Sequence, residues 1–247
     1  MWHWLIKKVD PHIRLYSILP LLTAFGVNMV IYSGTMALCA NWKHFDFTTS
    51  FDRAVPVIPS FMYIYFGCYI FWIINYILIG HLGKEHFYKY ITADILSRFV
   101  CGLFFVFLPT TNLALRETVT LTGSTLAEKL LQFLYMVDQP TNLFPSIHCL
   151  VSWFCFIGIR GQKAIPKWYR VFSCIFAILV FISTQVTKQH YIVDVLGGVI
   201  LAEVLYYVTN HRKLYLSFMS FFERLNERIA AVIMKERKLG EQKENNT

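Results

Sequence analysis

The sequence predicts an all-α, polytopic membrane protein built as a bundle of six transmembrane helices. Of its 247 residues, 56% are hydrophobic and only 15% are charged, whereas soluble domains carry about 25% charged residues. The mean hydropathy is +0.48. The apolar residues also gather into long runs, and a run of roughly 20 apolar residues is the length that a helix needs to cross a bilayer.

Six runs are candidate spans, with the shorter ones allowed where partner helices cover their ends. They lie at residues 15–37, 57–80, 92–109, 145–160, 169–186 and 191–209. The first run is long, and no cleavage site of small residues follows a short apolar region. We therefore expect an uncleaved first span and not a signal peptide.

The charge pattern predicts the orientation of the bundle. The loops that would face one side contain most basic residues: Lys7, Lys8, Arg14, Lys84, Lys89, Arg160, Lys163, Lys167, Arg170, Arg212, Lys213, Arg224, Arg228, Lys235, Arg237, Lys238 and Lys243. The other side has only Lys43, Arg53, Arg116, Lys129 and Lys188. By the positive-inside rule, both termini are cytoplasmic in a multi-pass protein of the cell membrane. The net charge of +8 then reflects orientation and attraction to anionic lipids, and indicates no nucleic-acid partner.

The stretch after the sixth span has apolar residues spaced by three and four. They are Phe218, Phe221, Phe222, Leu225, Ile229, Val232 and Ile233. This spacing predicts an amphipathic helix on the inner leaflet, although a helix that binds a soluble partner has the same pattern. We therefore divide the chain into a membrane domain, 1–210, and a cytoplasmic segment, 211–247, which comprises this helix and a polar tail expected to be disordered. The six cysteines form no Cys-x-x-Cys pair and are interpreted as small packing residues.

Two apolar runs open with polar residues that a simple span does not need. One is NLFPSIHCLVSW, 142–153, and the other is TKQHYIVDVLGG, 187–198. His190 and Asp194 are four residues apart, so they would share a face of a helix that begins near Lys188. A carboxylate in that position can hold one ring nitrogen and leave the other free to attack. A simple capping pair at the membrane interface would explain the same two residues.

Pro145 and Ser146 are typical of a helix start, where backbone N–H groups and the helix dipole favour an anion. A capped span explains both residues but not His148 in the first turn. Arg116 and Lys188, which alone would be ordinary loop charges, are expected to bind phosphate beside these histidines. A metal site made of His148, His190 and Asp194 is the chemical alternative, but no further acidic cluster or histidine near them supports it.

The motifs PSIH, 145–148, and S-x6-HYIVD, Ser183 with 190–194, resemble those of the type-2 phosphatidic acid phosphatase superfamily. Its members are six-helix membrane proteins with three signatures: Lys-x6-Arg-Pro, Pro-Ser-Gly-His and Ser-Arg-x5-His-x3-Asp. The sequences PSIHC and KQHY are most similar to those of the branch that includes inositol phosphorylceramide synthases and related bacterial proteins. The resemblance extends over most of the chain through the shared topology.

The resemblance implies a role for each matching residue. His190 would be the nucleophile that becomes phosphohistidine, Asp194 would orient it, and His148 would protonate the leaving oxygen and later activate water. Ser146 would be a phosphate ligand, and Arg116 would match the arginine of the first signature. The chain also departs from the signatures, with Pro109, Glu117, Ile147 and Thr184 in place of lysine, proline, glycine and arginine. Lys188 is therefore a candidate replacement for one missing cation.

These residues predict a metal-independent lipid phosphatase that needs no cofactor and acts on the extracytoplasmic face. The expected substrates are phosphatidate, phosphatidylglycerol phosphate or a polyprenyl diphosphate. A phosphotransferase, in which a lipid or polyol hydroxyl replaces water, is the second hypothesis. A non-enzymatic transporter or scaffold is the third.

Overall fold

The described part of the chain is entirely α-helical apart from turns, loops and a short 3-10 turn. The computed structural model describes the backbone of residues 12–244 and the side chains of residues 12–232. Lys7, Lys8 and the last three residues of the predicted tail lie outside this range. The helices are α1 Leu15–Cys39, α2 Ser50–Ala54, α3 Met62–His81, α4 Lys84–Phe107, α5 Leu113–Glu117, α6 Leu126–Val137, α7 Ile147–Ile159, α8 Lys167–Val186, α9 Ile192–His211 and α10 Leu214–Glu244. No strand occurs within this range, so the predicted all-α class is confirmed.

Five of the six predicted spans coincide with helices long and apolar enough to cross a membrane: α1, α3 with the 3-10 turn before it, α4, α8 and α9. The remaining one, the fourth predicted span at 145–160, corresponds to α7, which has 13 residues. It is therefore about 20 Å long, against a hydrocarbon core of about 30 Å. The structure thus supports a multi-pass membrane protein with five candidate spans. Whether α7 crosses the membrane, and how the termini are oriented, stay predictions.

Helix α4 begins at Lys84, eight residues before the predicted third span. The hydropathy pattern excludes this segment because it is charged, but its charges have partners. Lys89 pairs with Glu85 at 2.7 Å, and Tyr215 of α10 donates a hydrogen bond to Glu85. Further along α4, Asp94 and Arg98 form an ion pair inside the bundle. The helix is thus polar at positions that a simple span would fill with apolar residues.

A close approach of α9 to the start of α7 determines where the polar motifs meet. A Cβ atom on Gly198 of α9 would lie 2.7 Å from the carbonyl oxygen of Ser146 and 3.1 Å from the backbone nitrogen of Leu150. Only glycine allows this approach, since real Cβ atoms do not come so close to backbone atoms. The second turn of α9 therefore lies directly against the start of α7.

Helix α10 covers the predicted C-terminal amphipathic segment and packs on the bundle through buried Tyr215 and Phe222. Lys84 forms a salt bridge with Glu223. Phe221, 54% exposed, and Val232, 58% exposed, lie on the uncovered side. Part of the apolar stripe is thus used for packing within the chain, and contact of the remainder with the inner leaflet stays a prediction.

Candidate active site

His190 and Asp194 meet at the turn between α8 and α9. The His190 Nδ1 atom lies 3.2 Å from Asp194 Oδ2, and the same oxygen accepts the Tyr191 N–H at 3.0 Å. Helix α9 begins at Ile192 and not near Lys188, so the two side chains meet across the helix start and do not share a helical face. A proton on Nδ1 would be donated to the carboxylate, which would leave Nε2 available as a nucleophile.

The backbone of the His190 turn is held from several sides. The N–H groups of Gln189 and His190 both donate to the Thr184 carbonyl, at 2.9 and 3.2 Å. The Gln185 side-chain amide donates to the His190 carbonyl at 3.0 Å, and the Asn112 amide donates to the Lys188 carbonyl at 2.8 Å. These contacts fix a turn in which Lys188 adopts a positive φ of 52°. Gln185 and Asn112 were not recognised in the sequence, because they contact the backbone and belong to no motif.

His148 lies in the first turn of α7 and faces aromatic side chains of α3. Its ring centroid is 4.6 Å from that of Tyr65 and 5.7 Å from that of Trp72, and its Nε2 atom lies 3.3 Å from the Tyr69 hydroxyl. On the other side, the His148 and His190 ring centroids are 5.8 Å apart. The structure therefore brings His148, His190 and Asp194 together from two separate motifs. The α3 aromatics could have been suggested only by their spacing, which is also typical of ordinary packing.

The start of α7 has fewer free N–H groups for an anion than the sequence predicts. Ser146 is the N-cap residue, and its hydroxyl oxygen accepts the Cys149 N–H at 3.3 Å. The Ser146 N–H donates to the Asp194 carbonyl at 3.1 Å, so it is not free for an anion. Within the described chain, the N–H groups of Ile147 and His148 have no acceptor outside the helix. Two amides and the Ser146 hydroxyl proton therefore remain for a ligand, and Pro145 precedes the cap and is not in the first turn.

Arg116 of α5 is buried beside the His190 turn. Its guanidinium donates to the Asp138 carbonyl and to the Gln189 side-chain oxygen, both at 2.7 Å, and to the Lys188 carbonyl at 3.4 Å. It also lies over the Tyr135 ring, 5.0 Å from its centroid. Because a guanidinium has five N–H groups, two of them remain beyond these contacts. The phosphate-binding role of Arg116 stays a prediction. Its observed contacts are with the turn that carries His190, with Tyr135 and with Asp138, whose carboxylate lies 3.9 Å from Nη2.

Lys188 points to the loop that contains α2. Its ammonium donates to the carbonyl oxygens of Asp52 and Val55, at 2.6 and 2.5 Å. Burial lowers the pKa of Lys188, and the charge of Asp52 opposes that shift. An ammonium has three donors, so one is left for a phosphate, and the predicted role of Lys188 as a phosphate ligand stays a prediction.

Asp52 is a site-forming residue that the sequence reasoning missed. Its Oδ1 atom accepts the Ile192 N–H at 2.8 Å, and its Oδ2 atom accepts the N–H and hydroxyl of Thr49 at 2.8 and 2.6 Å. The loop at residues 46–55 is thereby attached to the first turn of α9. The Thr-x-x-Asp spacing of a capping box was the available signal, but it predicts only a helix start and not this contact with α9.

The described residues contain no group of three or more His, Cys, Asp and Glu side chains arranged to hold a metal ion. His148, His190 and Asp194 thus do not form the metal-binding group considered as the chemical alternative. The same three side chains do have an arrangement suited to nucleophilic attack and proton transfer. The Asp194 carboxylate contacts the His190 ring, and the His148 ring lies close to it.

Comparison with known proteins identifies the family. Residues 36–208 match the model of the PAP2 superfamily, a range that includes both polar motifs, α3 with its aromatic side chains and the loop at residues 46–55. No curated protein matches the chain, and no solved structure matches it. The match covers well over half of the chain and agrees with the resemblance of its two motifs. The chain therefore belongs to the PAP2 superfamily, which is the superfamily of the type-2 phosphatidic acid phosphatases.

Proposed function

We propose that this protein is a metal-independent lipid phosphatase that works through a phosphohistidine at His190. Membership of the PAP2 superfamily indicates a phosphatase- or phosphotransferase-type enzyme with a lipid-type substrate in a membrane. The observation that carries the proposal is the separation of 5.8 Å between the His148 and His190 rings, with Asp194 hydrogen-bonded behind His190.

In the first step, His190 Nε2 attacks phosphorus and a P–N bond forms as the bond to the leaving oxygen breaks. His148, protonated before the step, gives its proton to that oxygen. Reactive contact requires the nucleophile about 3–3.5 Å from phosphorus, and the acid about 2.6–3.2 Å from the oxygen. The His148 and His190 ring centroids are 5.8 Å apart, which is close enough for both side chains to contact one phosphate group. The Asp194 carboxylate stabilises the positive charge that develops on His190.

In the second step, neutral His148 takes a proton from water, and the water oxygen attacks the phosphohistidine. The P–N bond breaks, His190 recovers its electron pair, and orthophosphate leaves. The free amides of Ile147 and His148 and the Ser146 hydroxyl are candidate donors to the phosphate oxygens. Arg116 and Lys188 are the candidate cations, each through the N–H groups that their protein contacts leave over. Phosphoryl transfer needs this stabilisation because charge is spread over three equatorial oxygens.

The proposed substrate is a lipid phosphate or diphosphate, of the phosphatidate, phosphatidylglycerol phosphate or polyprenyl diphosphate class. His148 and His190 lie where α7 and α9 begin, and the outer surfaces of the neighbouring helices carry exposed apolar residues such as Ile182 and Leu196. A head group could reach the histidines while its tail stays in the bilayer. The extracytoplasmic side follows from the distribution of basic loop residues.

A phosphotransferase is the second candidate. The wall of Tyr65, Tyr69 and Trp72 around His148 is apolar on most of its surface, which favours an alcohol acceptor over bulk water. A lipid or polyol hydroxyl would then replace water in the second step. A transporter or scaffold without activity is less well supported, because such a role would not need His148, His190 and Asp194 in this arrangement.

The test uses the purified full chain in lipid nanodiscs with each of the three lipid classes. We expect release of orthophosphate, its loss in His190→Ala, and wild-type rates in the control variant His44→Gln, since His44 is a partly exposed loop residue that belongs to neither polar motif. Phosphate that appears only on an added alcohol would select the phosphotransferase. Full activity of His190→Ala would contradict the mechanism.

A further inference from the structure

We infer that Arg98 binds an anionic oxygen of the substrate phosphate from inside the helix bundle. This inference rests on the proposed function and adds a residue that belongs to neither polar motif. Arg98 lies in α4 and is only 3% exposed. An ionisable side chain inside a membrane-spanning helix is costly to bury, so its presence calls for a function or for complete pairing.

The pairing of Arg98 is incomplete. Its Nη2 atom lies 2.6 Å from Asp94 Oδ1, and the Tyr76 hydroxyl donates to Asp94 Oδ2 at 2.7 Å. Both oxygens of the carboxylate are thus engaged. Within the described chain, however, the Nε and Nη1 atoms of Arg98 are buried and have no acceptor. Buried donors are nearly always hydrogen-bonded, so a guanidinium with two free nitrogens is ready to bind an anion.

Arg98 lies near the middle of α4, in the half of the helix that is nearer the catalytic histidines. Phe104 of α4 packs against Phe144, with ring centroids 5.1 Å apart, so this end of α4 is beside the start of α7. Arg98 is six residues before Phe104, or about 9 Å along the helix, and Asp94 is one turn further away.

One face of α3 connects His148 with the Asp94–Arg98 pair. Tyr65, Tyr69, Trp72 and Tyr76 recur at spacings of four, three and four, which places them on one side of the helix. The first three contact the His148 ring, and Tyr76 binds Asp94. This stripe forms a continuous wall along which a phosphate held by the two histidines could also meet Arg98.

The other candidate cations leave a need for such a residue. Arg116 and Lys188 already donate to protein oxygens, whereas a phosphomonoester carries a charge of about −1.5 to −2 at pH 7, and a diphosphate carries more. Arginine is well suited to this because it stays charged when buried. In a monoester the bound oxygen belongs to the transferred phosphate. In a diphosphate it belongs to either phosphate group.

The test measures binding without turnover. Inorganic phosphate and pyrophosphate are titrated calorimetrically into the full chain in nanodiscs, and KM and kcat are measured for a lipid phosphate that the wild type hydrolyses. We expect Arg98→Lys to weaken binding of at least one probe tenfold or more and to raise KM. Stronger loss for pyrophosphate would assign the contact to the second phosphate of a diphosphate, and equal loss would assign it to the transferred group.

Two further variants separate binding from folding. The double variant D94N/R98Q removes both charges together, so no buried carboxylate is left unpaired, and the same loss of affinity is expected. Lys89→Gln, on the same helix but partly exposed and paired with Glu85, should bind both probes like the wild type. Thermal unfolding curves report whether each variant is folded.

Wild-type affinity for both probes in Arg98→Lys and in the double variant would overturn the inference, as would a wild type that binds neither probe. Binding that depends on Arg98 in a protein that neither hydrolyses nor transfers phosphate would leave the inference standing and contradict the proposed function. Hydrolysis with unchanged KM and affinity in the Arg98 variants would contradict the inference and leave the proposed function standing.

Discussion

The imidazole of His190 contacts the carboxylate of Asp194 at 3.2 Å although the two residues belong to different elements, His190 to the turn after α8 and Asp194 to the first turn of α9. The carboxylate is fully buried and also accepts the Tyr191 N–H. It therefore holds the backbone and the ring at once. The orientation of His190, the proposed nucleophile, is thus coupled to the start of α9. A change in one should therefore alter the other.

Replacement of Asp194 by asparagine should lower kcat by about 10²-fold or more while the protein stays folded. An asparagine oxygen can still accept the Tyr191 N–H, but it carries no charge to stabilise a positively charged His190. Steady-state kinetics with a lipid phosphate, together with an unfolding curve, measures both effects. A rate within threefold of the wild type would show that the carboxylate has only a capping role.

Replacement of His148 by glutamine should slow hydrolysis of alkyl phosphates about 10²–10⁴-fold, the usual contribution of a general acid or base. The loss should be much smaller in the first step for a nitrophenyl phosphate ester, because its leaving oxygen needs no proton. Phosphohistidine should then accumulate, since no base activates water. Rapid quenching with radiolabelled substrate detects this acid-labile adduct, and equal losses for both substrates would contradict the assignment.

Replacement of Lys188 by methionine should destabilise the protein by about 1–3 kcal/mol, the cost of leaving buried acceptors without a donor. The two acceptors are the carbonyls of Asp52 and Val55, which connect the α2 loop to the His190 turn. Chemical denaturation of the variant beside Lys43→Gln, an exposed control, measures the difference. If Lys188 also binds phosphate, KM should rise in Lys188→Met and recover in part in Lys188→Arg; an unfolding free energy equal to that of the control would contradict the contact.

Chelation of metal ions should leave the rate unchanged. Each step of the proposed reaction uses a ring nitrogen, a proton or a hydrogen-bond donor of the chain itself. The measurement is orthophosphate release after dialysis against a chelator, with and without added divalent cations. A rate that falls on dialysis and returns with one cation would support the metal alternative.

The sequence predicts five of the helical spans well because the bilayer imposes a length and an apolar composition on each of them. It also predicts that His148, His190 and Asp194 lie close together, as they do in the structure, whereas their catalytic roles stay predictions. The predicted start of the third span was the least accurate boundary. The helix begins at Lys84 because its charged residues are paired with Tyr215 and with each other, and a hydropathy pattern contains no information on such pairs.

The sequence does not predict which cation faces the substrate. Arg116 and Lys188 are in the expected loops, but their side chains donate to oxygens that come from residues distant in the chain. Arg98 has the opposite character, since it lies in a span where a charge is unexpected and it keeps unpaired donors. The direction of a long side chain depends on tertiary contacts, and motif spacing does not determine it.

Replacement of Gly198 by alanine should separate α7 from α9 and thereby move His148 away from His190. The added Cβ atom would lie 2.7 Å from the Ser146 carbonyl oxygen, a backbone atom that cannot rotate away. Overpacking of this kind costs about 1–3 kcal/mol, and a displacement near 1 Å between reacting groups can reduce the rate about 10²-fold.

Gly26→Ala in α1 is the matched control, because its Cβ atom would meet no atom within 4 Å. We therefore expect Gly198→Ala to lower kcat and stability and Gly26→Ala to keep both, measured by lipid phosphate hydrolysis and chemical denaturation. A Gly198→Ala enzyme with the wild-type kcat would mean that the two histidines do not depend on this helix contact.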